Sequence, residues 1–311
     1  MSVASTAHGL QDRVAAYATL LRIPNLFTAP PDVLLGAVLA GFATTESGVV
    51  VPVQQVASLS VVSMLLYGAG TTLNDYADTE VDAVERPERP IPSQSVSSQA
   101  ALSFGVGLLV AAVATAFILV GIPAMIIALV LGYTIILYDF YLKDTTIGFG
   151  AMGLTRGLNI VLGMTAFGDT EFSGPMLFVP VVISGYIATV TWMAADEMTG
   201  GTQRRILVTR TVAVVVALTI VLLGVVLQVP LVRLSAAVFL MIGFFVVTTH
   251  QLQIAYQSQT PETIGAAVGS CVLGLVVIDT AIIALFTLRV AAITFGFFLA
   301  ARLLSGWFDI S

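Results

Sequence analysis

The sequence predicts an all-α polytopic membrane protein with nine or ten transmembrane helices and most of its polar loops on one side. Of its 311 residues, 58% are hydrophobic and only 10% are charged, which is more apolar surface than one soluble core can bury. Apolar runs of about 20 residues, the length that crosses a bilayer core, recur along the whole chain. We therefore expect one transmembrane domain over residues 1–311, with residues 1–24 as a surface segment at the N-terminus.

Polar breaks separate ten apolar runs that are candidate membrane spans. They lie near residues 26–44, 51–72, 101–120, 122–138, 149–167, 176–195, 207–227, 232–249, 264–288 and 290–306. Asp279 and Arg289 interrupt the last two runs, so the pattern predicts nine or ten spans.

The distribution of charge between the loops predicts the orientation in the cell membrane. The most polar loops follow the second, fourth and sixth spans and must therefore lie on one side. Their cationic residues are Arg86, Arg89, Lys143, Arg204 and Arg205. The opposite loops near 45–50 and 168–174 carry acidic residues instead. Because cationic loops tend to remain in the cytoplasm, the polar loops are predicted to be cytoplasmic.

Charge and cysteine content exclude two classes of function. The net charge of −6 argues against nucleic acid as a partner, because a polyanion requires a basic surface. The single cysteine, Cys271, lies in an apolar run, so neither an internal disulfide nor a thiolate metal site is expected.

An acidic motif ends the second span, where residues 74–82 read NDYADTEVD. On a continuous helix, its amide and three of its carboxylates would fall within an arc of about 100°. These four residues are Asn74, Asp75, Asp78 and Asp82. Like charges on one helix face repel one another, and carboxylate oxygens are ligands for Mg²⁺. The motif therefore predicts a magnesium site, and the alternative is a solvated helix end.

Two arginines follow in a proline-rich loop, where residues 85–93 read ERPERPIPS. The guanidinium groups of Arg86 and Arg89 can each form paired hydrogen bonds with phosphate oxygens. Carboxylates for Mg²⁺ next to arginines for phosphate predict a binding site for a diphosphate substrate. Alternatively, the arginines serve only as the positive charges that orient the chain in the membrane.

The NDxxDxxxD pattern followed by RPxRPIPS resembles the first signature of the UbiA superfamily of intramembrane prenyltransferases. The segment from Tyr138 to Lys143, YDFYLK, is similar to the family's loop after the fourth span, and RIPN at 22–25 opens the first span as in that family. The resemblance extends to about residue 205. It implies nine helices around a central cavity with polar loops on the cytoplasmic side.

The resemblance also implies a function and a set of site residues. The reaction would be the Mg²⁺-dependent transfer of a prenyl group from an isoprenyl diphosphate to a lipophilic acceptor, with release of diphosphate. The expected metal ligands are Asp75, Asp78, Asp82, Asp196 and Glu197. The expected catalytic residues are Asn74, Asp75, Asp78, Asp82, Tyr138 and Lys143. The expected substrate-binding residues are Arg22, Asn25, Arg86, Arg89, Arg156, Asn159 and Arg204.

The second acidic motif departs from the family pattern, because Gly200 stands where a second aspartate is expected. This departure supports an alternative function, that of a catalytically weak protein that binds or transports isoprenoids or lipids. A secondary transporter is a third possibility. The acceptor is also open among a quinone precursor, a glycerol-phosphate lipid, a tetrapyrrole and a carotenoid.

Two polar residues, Arg156 and Asn159, interrupt the fifth apolar run about one helical turn apart. An arginine inside a membrane normally faces a cavity or a partner, and Asp279 in the ninth run is a candidate partner. The alternatives are that Arg156 extends toward the membrane surface or pairs with a purely structural carboxylate.

Overall fold

The computed structural model describes residues 13–44, 51–143, 145–168, 177–195 and 203–305. All regular elements in these ranges are helical. They are α1 (13–20), α2 (Ile23–Leu26), α3 (Pro30–Thr44), α4 (Val53–Ala77), α5 (Thr79–Glu85), α6 (Ser98–Leu119), α7 (Ile122–Leu137), a π-helical turn (Tyr138–Leu142), α8 (Thr146–Met164), a 3₁₀ turn (Thr165–Phe167), α9 (Phe178–Ala194), α10 (Gln203–Val226), α11 (Leu231–Ser258), α12 (Pro261–Phe286) and α13 (Leu288–Ser305).

Eight helical segments of the described residues are long and apolar enough to cross a membrane. The first combines α2 with most of α3, and the others are formed by α4, α6, α7, α8, α10, α11 and α12. The apolar helix α9 is shorter, with 17 residues. The predicted all-α, multi-span architecture is thus confirmed. Two boundaries differ, since α4 continues past residue 72 to Ala77 and α11 continues past 249 to Ser258.

The helix α12 forms the centre of the bundle. Its most apolar window is 72% buried, whereas that of α6 is 17% buried. From Gly274 to Phe286, every residue of α12 is buried, although this stretch includes Asp279. The helix packs against α3, α9, α11 and α13, so no side of its second half faces lipid.

Two glycines allow α3 and α8 to pack with their backbones in contact. A β-carbon at Gly36 would collide with the carbonyl oxygen of Ile160, and one at Gly163 would collide with that of Val33. Small residues at such contacts let membrane helices approach closely. This approach brings polar side chains of α3 and α8 within hydrogen-bonding distance inside the bundle.

Candidate active site

The acidic motif is divided between two helices. Asn74 and Asp75 belong to α4, Asp82 belongs to α5, and Asp78 lies between the helices with φ −87° and ψ 6°. A helical residue has ψ near −42°, so the backbone changes direction at Asp78. The single helix face expected from the sequence is therefore interrupted at this residue.

Two arginines contact the first and last carboxylates of the motif. The Nη2 atom of Arg22 lies 2.8 Å from Oδ1 of Asp75. The Nη1 atom of Arg89 lies 3.1 Å from the same oxygen and 2.7 Å from Oδ2 of Asp82. The side chains of Asp75 and Asp82 are only 6% and 4% exposed. We call these four residues the arginine–aspartate cluster.

The backbone at Arg22 turns sharply between α1 and α2. Arg22 has φ 47° and ψ 57°, a left-handed conformation that is uncommon for residues other than glycine. Burial acts to lower the pKa of its guanidinium, but Asp75, Tyr67 and Asp82 together outweigh burial and raise this pKa above its ordinary value. The turn thus holds a permanent positive charge against Asp75.

The middle carboxylate of the motif has a different cation. The Nζ atom of Lys143 contacts Oδ2 of Asp78, and Nδ2 of Asn74 donates a hydrogen bond of 3.1 Å to Oδ1 of Asp139. Asp139 lies in the π-helical turn and Lys143 directly follows it. Such turns are frequent at functional sites because they change the direction of the side chains that follow. We call Asn74, Asp78, Asp139 and Lys143 the lysine–aspartate cluster.

A cavity of about 610 Å³ adjoins the lysine–aspartate cluster. It is lined by Tyr76, Ala77, Asp78, Thr79, Glu80, Val81, Ser98, Asp139, Phe140, Tyr141 and Lys143. The volume is within the range of about 300–1,000 Å³ that is common for small-molecule sites. Its lining combines carboxylates, one ammonium group and aromatic rings, so it could hold a ligand with both a charged and an apolar part.

A third polar cluster is buried between α3 and α8. The Nη1 atom of Arg156 lies 3.0 Å from Oδ2 of Asp32, and Nδ2 of Asn159 donates a 2.8 Å hydrogen bond to the same oxygen. Neither oxygen of Asp279, the partner suggested by the sequence, makes a hydrogen bond among the described residues. The direct ion-pair partner of Arg156 is therefore Asp32, which the sequence analysis missed. A carboxylate at the start of the first apolar run was the signal that could have identified it.

The remaining predicted residues are dispersed. Tyr138 is buried in the π-helical turn, and Asn25 and Arg86 are half-buried in α2 and in the loop after α5. Arg204 is exposed at the start of α10. Asp196, Glu197 and Gly200 lie outside the described residues. The structure therefore brings Arg22 and Arg89 together with the acidic motif, and places Lys143 beside Asp78.

The carboxylates of the motif fit Mg²⁺ in their chemistry, because this ion prefers oxygen ligands. In the described ranges, no three His, Cys, Asp or Glu side chains form a group that could hold a metal ion alone. Each of the three aspartates of the motif instead contacts an arginine or lysine. Magnesium in proteins is commonly held by one or two carboxylates together with substrate phosphates. Aspartates that do not form a group of three are therefore compatible with binding of a magnesium diphosphate.

The sequence model of the UbiA prenyltransferase family matches residues 34–201, more than half of the chain. The chain belongs to the UbiA prenyltransferase family. The matched range includes the whole acidic motif, Arg89, the lysine–aspartate cluster and Arg156. Arg22, Asp32 and Asp279 lie outside it.

Relatives within the UbiA family match about half of the chain. A digeranylgeranylglyceryl phosphate synthase of Methanococcoides burtonii is 34% identical over 155 residues, which cover 49% of this chain and 55% of that protein. The synthase of the same name from Natronomonas pharaonis is 31% identical over 167 residues, covering 54% and 58%. The chain thus spans little more than half the length of the curated relatives it matches.

Solved structures of UbiA homologues share the fold. The apo structure of a homologue from Aeropyrum pernix gives a TM-score of 0.63 at 14% identity, covering 83% of this chain and 96% of that one. A homologue from Archaeoglobus fulgidus bound to GPP and Mg²⁺ gives a TM-score of 0.59 at 14% identity, covering 92% and 99%. The helical architecture expected from the family resemblance is therefore confirmed.

Proposed function

We propose that this UbiA-family protein transfers a prenyl group from an isoprenyl diphosphate to a lipophilic acceptor in a Mg²⁺-dependent reaction. The observation that carries the proposal is the pairing of all three aspartates of the motif with cationic side chains. Asp75 and Asp82 contact Arg89, and Asp78 contacts Lys143. This mixture of anionic and cationic groups suits a metal diphosphate, because each charge on the ligand meets an opposite charge on the protein.

The reaction breaks the bond between C1 of the prenyl group and the diphosphate oxygen, and a hydroxyl oxygen of the acceptor forms the new bond to C1. The proton of that hydroxyl passes to the released diphosphate or to water. Arg22, Arg89 and Lys143 bind the diphosphate oxygens and stabilise the charge of the leaving group. Asn74 holds Asp139 in place, and Tyr138 helps to exclude water from the allylic carbon. The motif aspartates, together with Asp196 and Glu197 of the following acidic motif, would hold Mg²⁺, which would supply Lewis-acid charge.

The remaining substrate-binding roles follow from position. Asn25 lies in α2, three residues after Arg22, and Arg86 follows the end of α5, three residues before Arg89. Arg204 lies at the start of α10, just after the second acidic motif in the sequence. All three are assigned to the diphosphate end of the substrate. Arg156 and Asn159 instead stabilise the packing of α8 against α3, because both donate hydrogen bonds to Asp32 of α3.

Among the acceptor classes left open by the sequence, we assign a glycerol-phosphate lipid. The support comes from relatives named digeranylgeranylglyceryl phosphate synthase, whose name specifies geranylgeranyl groups on glyceryl phosphate. An isoprenyl diphosphate as donor is further supported by family structures described as bound to DMAPP or GPP together with Mg²⁺.

The proposed topology has ten spans and cytoplasmic polar loops. The 17-residue α9 and the 18-residue α13 are added to the eight long spans, which gives ten. The ring of Phe297 in α13 lies 6.5 Å from that of Phe27, which supports packing of α13 against the first span. Cationic residues in the loops after α5 and before α8 support the cytoplasmic orientation.

Diphosphate release by the purified protein tests the proposed function. The protein is incubated with geranylgeranyl diphosphate and a panel of acceptors, with and without Mg²⁺. We expect release that requires both Mg²⁺ and a glycerol-phosphate acceptor. Tight binding of the diphosphate without release on any acceptor would favour the isoprenoid-binding alternative. Gly200→Asp, which adds the second aspartate of the family pattern, should increase the rate if the missing ligand limits turnover.

A further inference from the structure

The carboxyl group of Asp279 is enclosed in the bundle without a hydrogen-bond donor. Its side chain is 0% exposed, and neither oxygen has a partner within the described part of the chain. Asp32 is also 0% exposed, and α3, which carries it, packs against α12, so that its carboxyl group is the side chain that acts most strongly on Asp279. Oδ2 of Asp32 accepts hydrogen bonds from Arg156 and Asn159, but its Oδ1 has no partner in the same ranges.

The charges in this cluster do not balance if both carboxyl groups are ionised. Two carboxylates and the single guanidinium of Arg156 would leave one net negative charge. A buried charge without a partner is strongly unfavourable, and more so inside a membrane. Two facing carboxyl groups can form a hydrogen bond with each other only if one of them carries a proton, and that proton would also neutralise the cluster.

We propose that Asp32 and Asp279 together form a proton-binding site, in which one proton is held between their facing carboxyl groups. Asp32 pairs with Arg156 as the carboxylate, and Asp279 donates to Asp32 as the neutral acid. The site links α3, α8 and α12 and does not use any residue of the acidic motif. It therefore stands independently of the proposed prenyl transfer.

The location of this site separates it from the proposed active site. Ser63 of α4 donates a 2.8 Å hydrogen bond to Asn159, and Asp75 lies twelve residues further along α4. At 1.5 Å per residue this corresponds to roughly 18 Å along the helix. A proton bound here is thus deep in the bundle, away from the groups that contact the diphosphate.

Other ionisable side chains near the proton site do not supply the missing donor. The ring of Tyr67 on α4 lies 5.7 Å from Cζ of Arg156, so it faces the guanidinium. On α9, the hydroxyl of Tyr186 donates to the carbonyl oxygen of Cys271 at 3.1 Å. Among the described residues, the charged groups that act on Asp279 are Asp32 and Arg156.

Infrared spectroscopy of the full-length protein in detergent at neutral pH tests the proposal, because a protonated carboxyl group has a C=O band that a carboxylate lacks. We expect this band to lose the intensity of one carboxyl group in Asp279→Asn. Asp32→Asn should lose the same intensity, because the remaining Asp279 then ionises and pairs with Arg156. Arg156→Leu should instead gain one protonated group, because no cation is left to balance a carboxylate.

Two controls make the outcome unambiguous. Asp139, whose Oδ2 also lacks a partner in the described ranges, is a second candidate for a protonated carboxyl, so Asp139→Asn identifies its contribution. If the Asp32→Asn protein does not fold, Asp279→Leu is measured in its place, and it should lose the same band intensity. The proposal is overturned if the wild-type and Asp279→Asn spectra have equal intensity in this band. It is also overturned if the band appears only after sodium is replaced by choline, since the pair would then bind sodium.

Discussion

The Nη1 atom of Arg89 lies 2.7 Å from Oδ2 of Asp82, so an arginine of the loop forms an ion pair with the helix that precedes this loop. The same nitrogen contacts Asp75 on α4. One guanidinium thus joins α4, α5 and the loop that follows, and together with Arg22 it balances the charge of two buried carboxylates. This connection gives Arg89 a structural role in addition to the diphosphate binding proposed for it.

Replacing Arg89 by glutamine should reduce both stability and activity. Removing one partner of a buried ion pair costs about 3–5 kcal/mol, because the remaining charge is left uncompensated. Arg89→Lys keeps the positive charge but loses the planar group that binds phosphate through two hydrogen bonds. We therefore expect the lysine variant to retain most of the stability and to lose most of the turnover. Thermal unfolding and diphosphate release are measured on the same preparations, and equal losses of stability in both variants would contradict this assignment.

Asp78→Ala should abolish Mg²⁺-dependent diphosphate release and leave the fold intact. The side chains of Asp78 and Lys143 are 22% and 29% exposed, and pairs of this kind contribute at most about 1 kcal/mol. The matched variant Asp75→Ala should lose activity and also stability, because it leaves Arg22 and Arg89 beside an empty volume. Full diphosphate release by a folded Asp78→Ala protein would refute the prenyltransferase proposal.

The identity of the site residues was more predictable than their grouping. Asn74, Asp75, Asp78 and Asp82 stand out in the sequence, because acidic residues at the end of an apolar run have few structural explanations. Their division into two clusters depends on the backbone dihedral angles of one residue, Asp78. The spacing of residues in a sequence does not predict such angles. Local spacing therefore predicted the chemistry, whereas the separation of the carboxylates required the structure.

Long-range pairing was the least predictable feature. The spans themselves could be identified, because runs of apolar residues determine which segments cross the membrane. Asp32 and Arg156 are 124 residues apart, and their contact depends on the close approach of Gly36 and Gly163 to the facing backbones. The carboxylate in the first apolar run marks Asp32 as a candidate, but a single sequence does not decide between Asp32 and Asp279, so Asp279 was a reasonable but incorrect choice as the direct partner.

Substitution of Gly36 by alanine should separate α3 from α8. The added β-carbon would meet the carbonyl oxygen of Ile160, a backbone atom that cannot rotate away. Overpacking of this kind typically costs about 1–3 kcal/mol. Gly243→Ala on α11 is the matched control, since no atom lies within 4 Å of its added β-carbon. It should leave stability unchanged or raise it by up to about 1 kcal/mol through helix propensity. Thermal unfolding in detergent measures both, and equal unfolding temperatures would contradict the close-contact argument.

Cysteine labelling should locate the loop after α5 in the cytoplasm. Ser95→Cys places a thiol at an exposed position of this loop, and the native Cys271 is buried, so background labelling is low. An impermeant reagent added to intact cells should label Ser95→Cys only after permeabilisation. Val53→Cys, at the opposite end of α4 and 78% exposed, should be labelled directly. The reverse pattern would invert the proposed orientation.

The ion pair between Asp32 and Arg156 also constrains how the chain enters the membrane during synthesis. The segments that contain these residues, Ile23–Phe42 and Thr146–Phe167, are the two least apolar of the eight long spans in the described residues. A charged residue at the centre of an inserting helix costs about 2.5–3.5 kcal/mol on the translocon scale. Nascent chains truncated before α8 should therefore integrate the first segment less efficiently than chains that include α8. The first span emerges from the ribosome long before its counter-ion is made, so its stable integration should depend on the arrival of the fifth span.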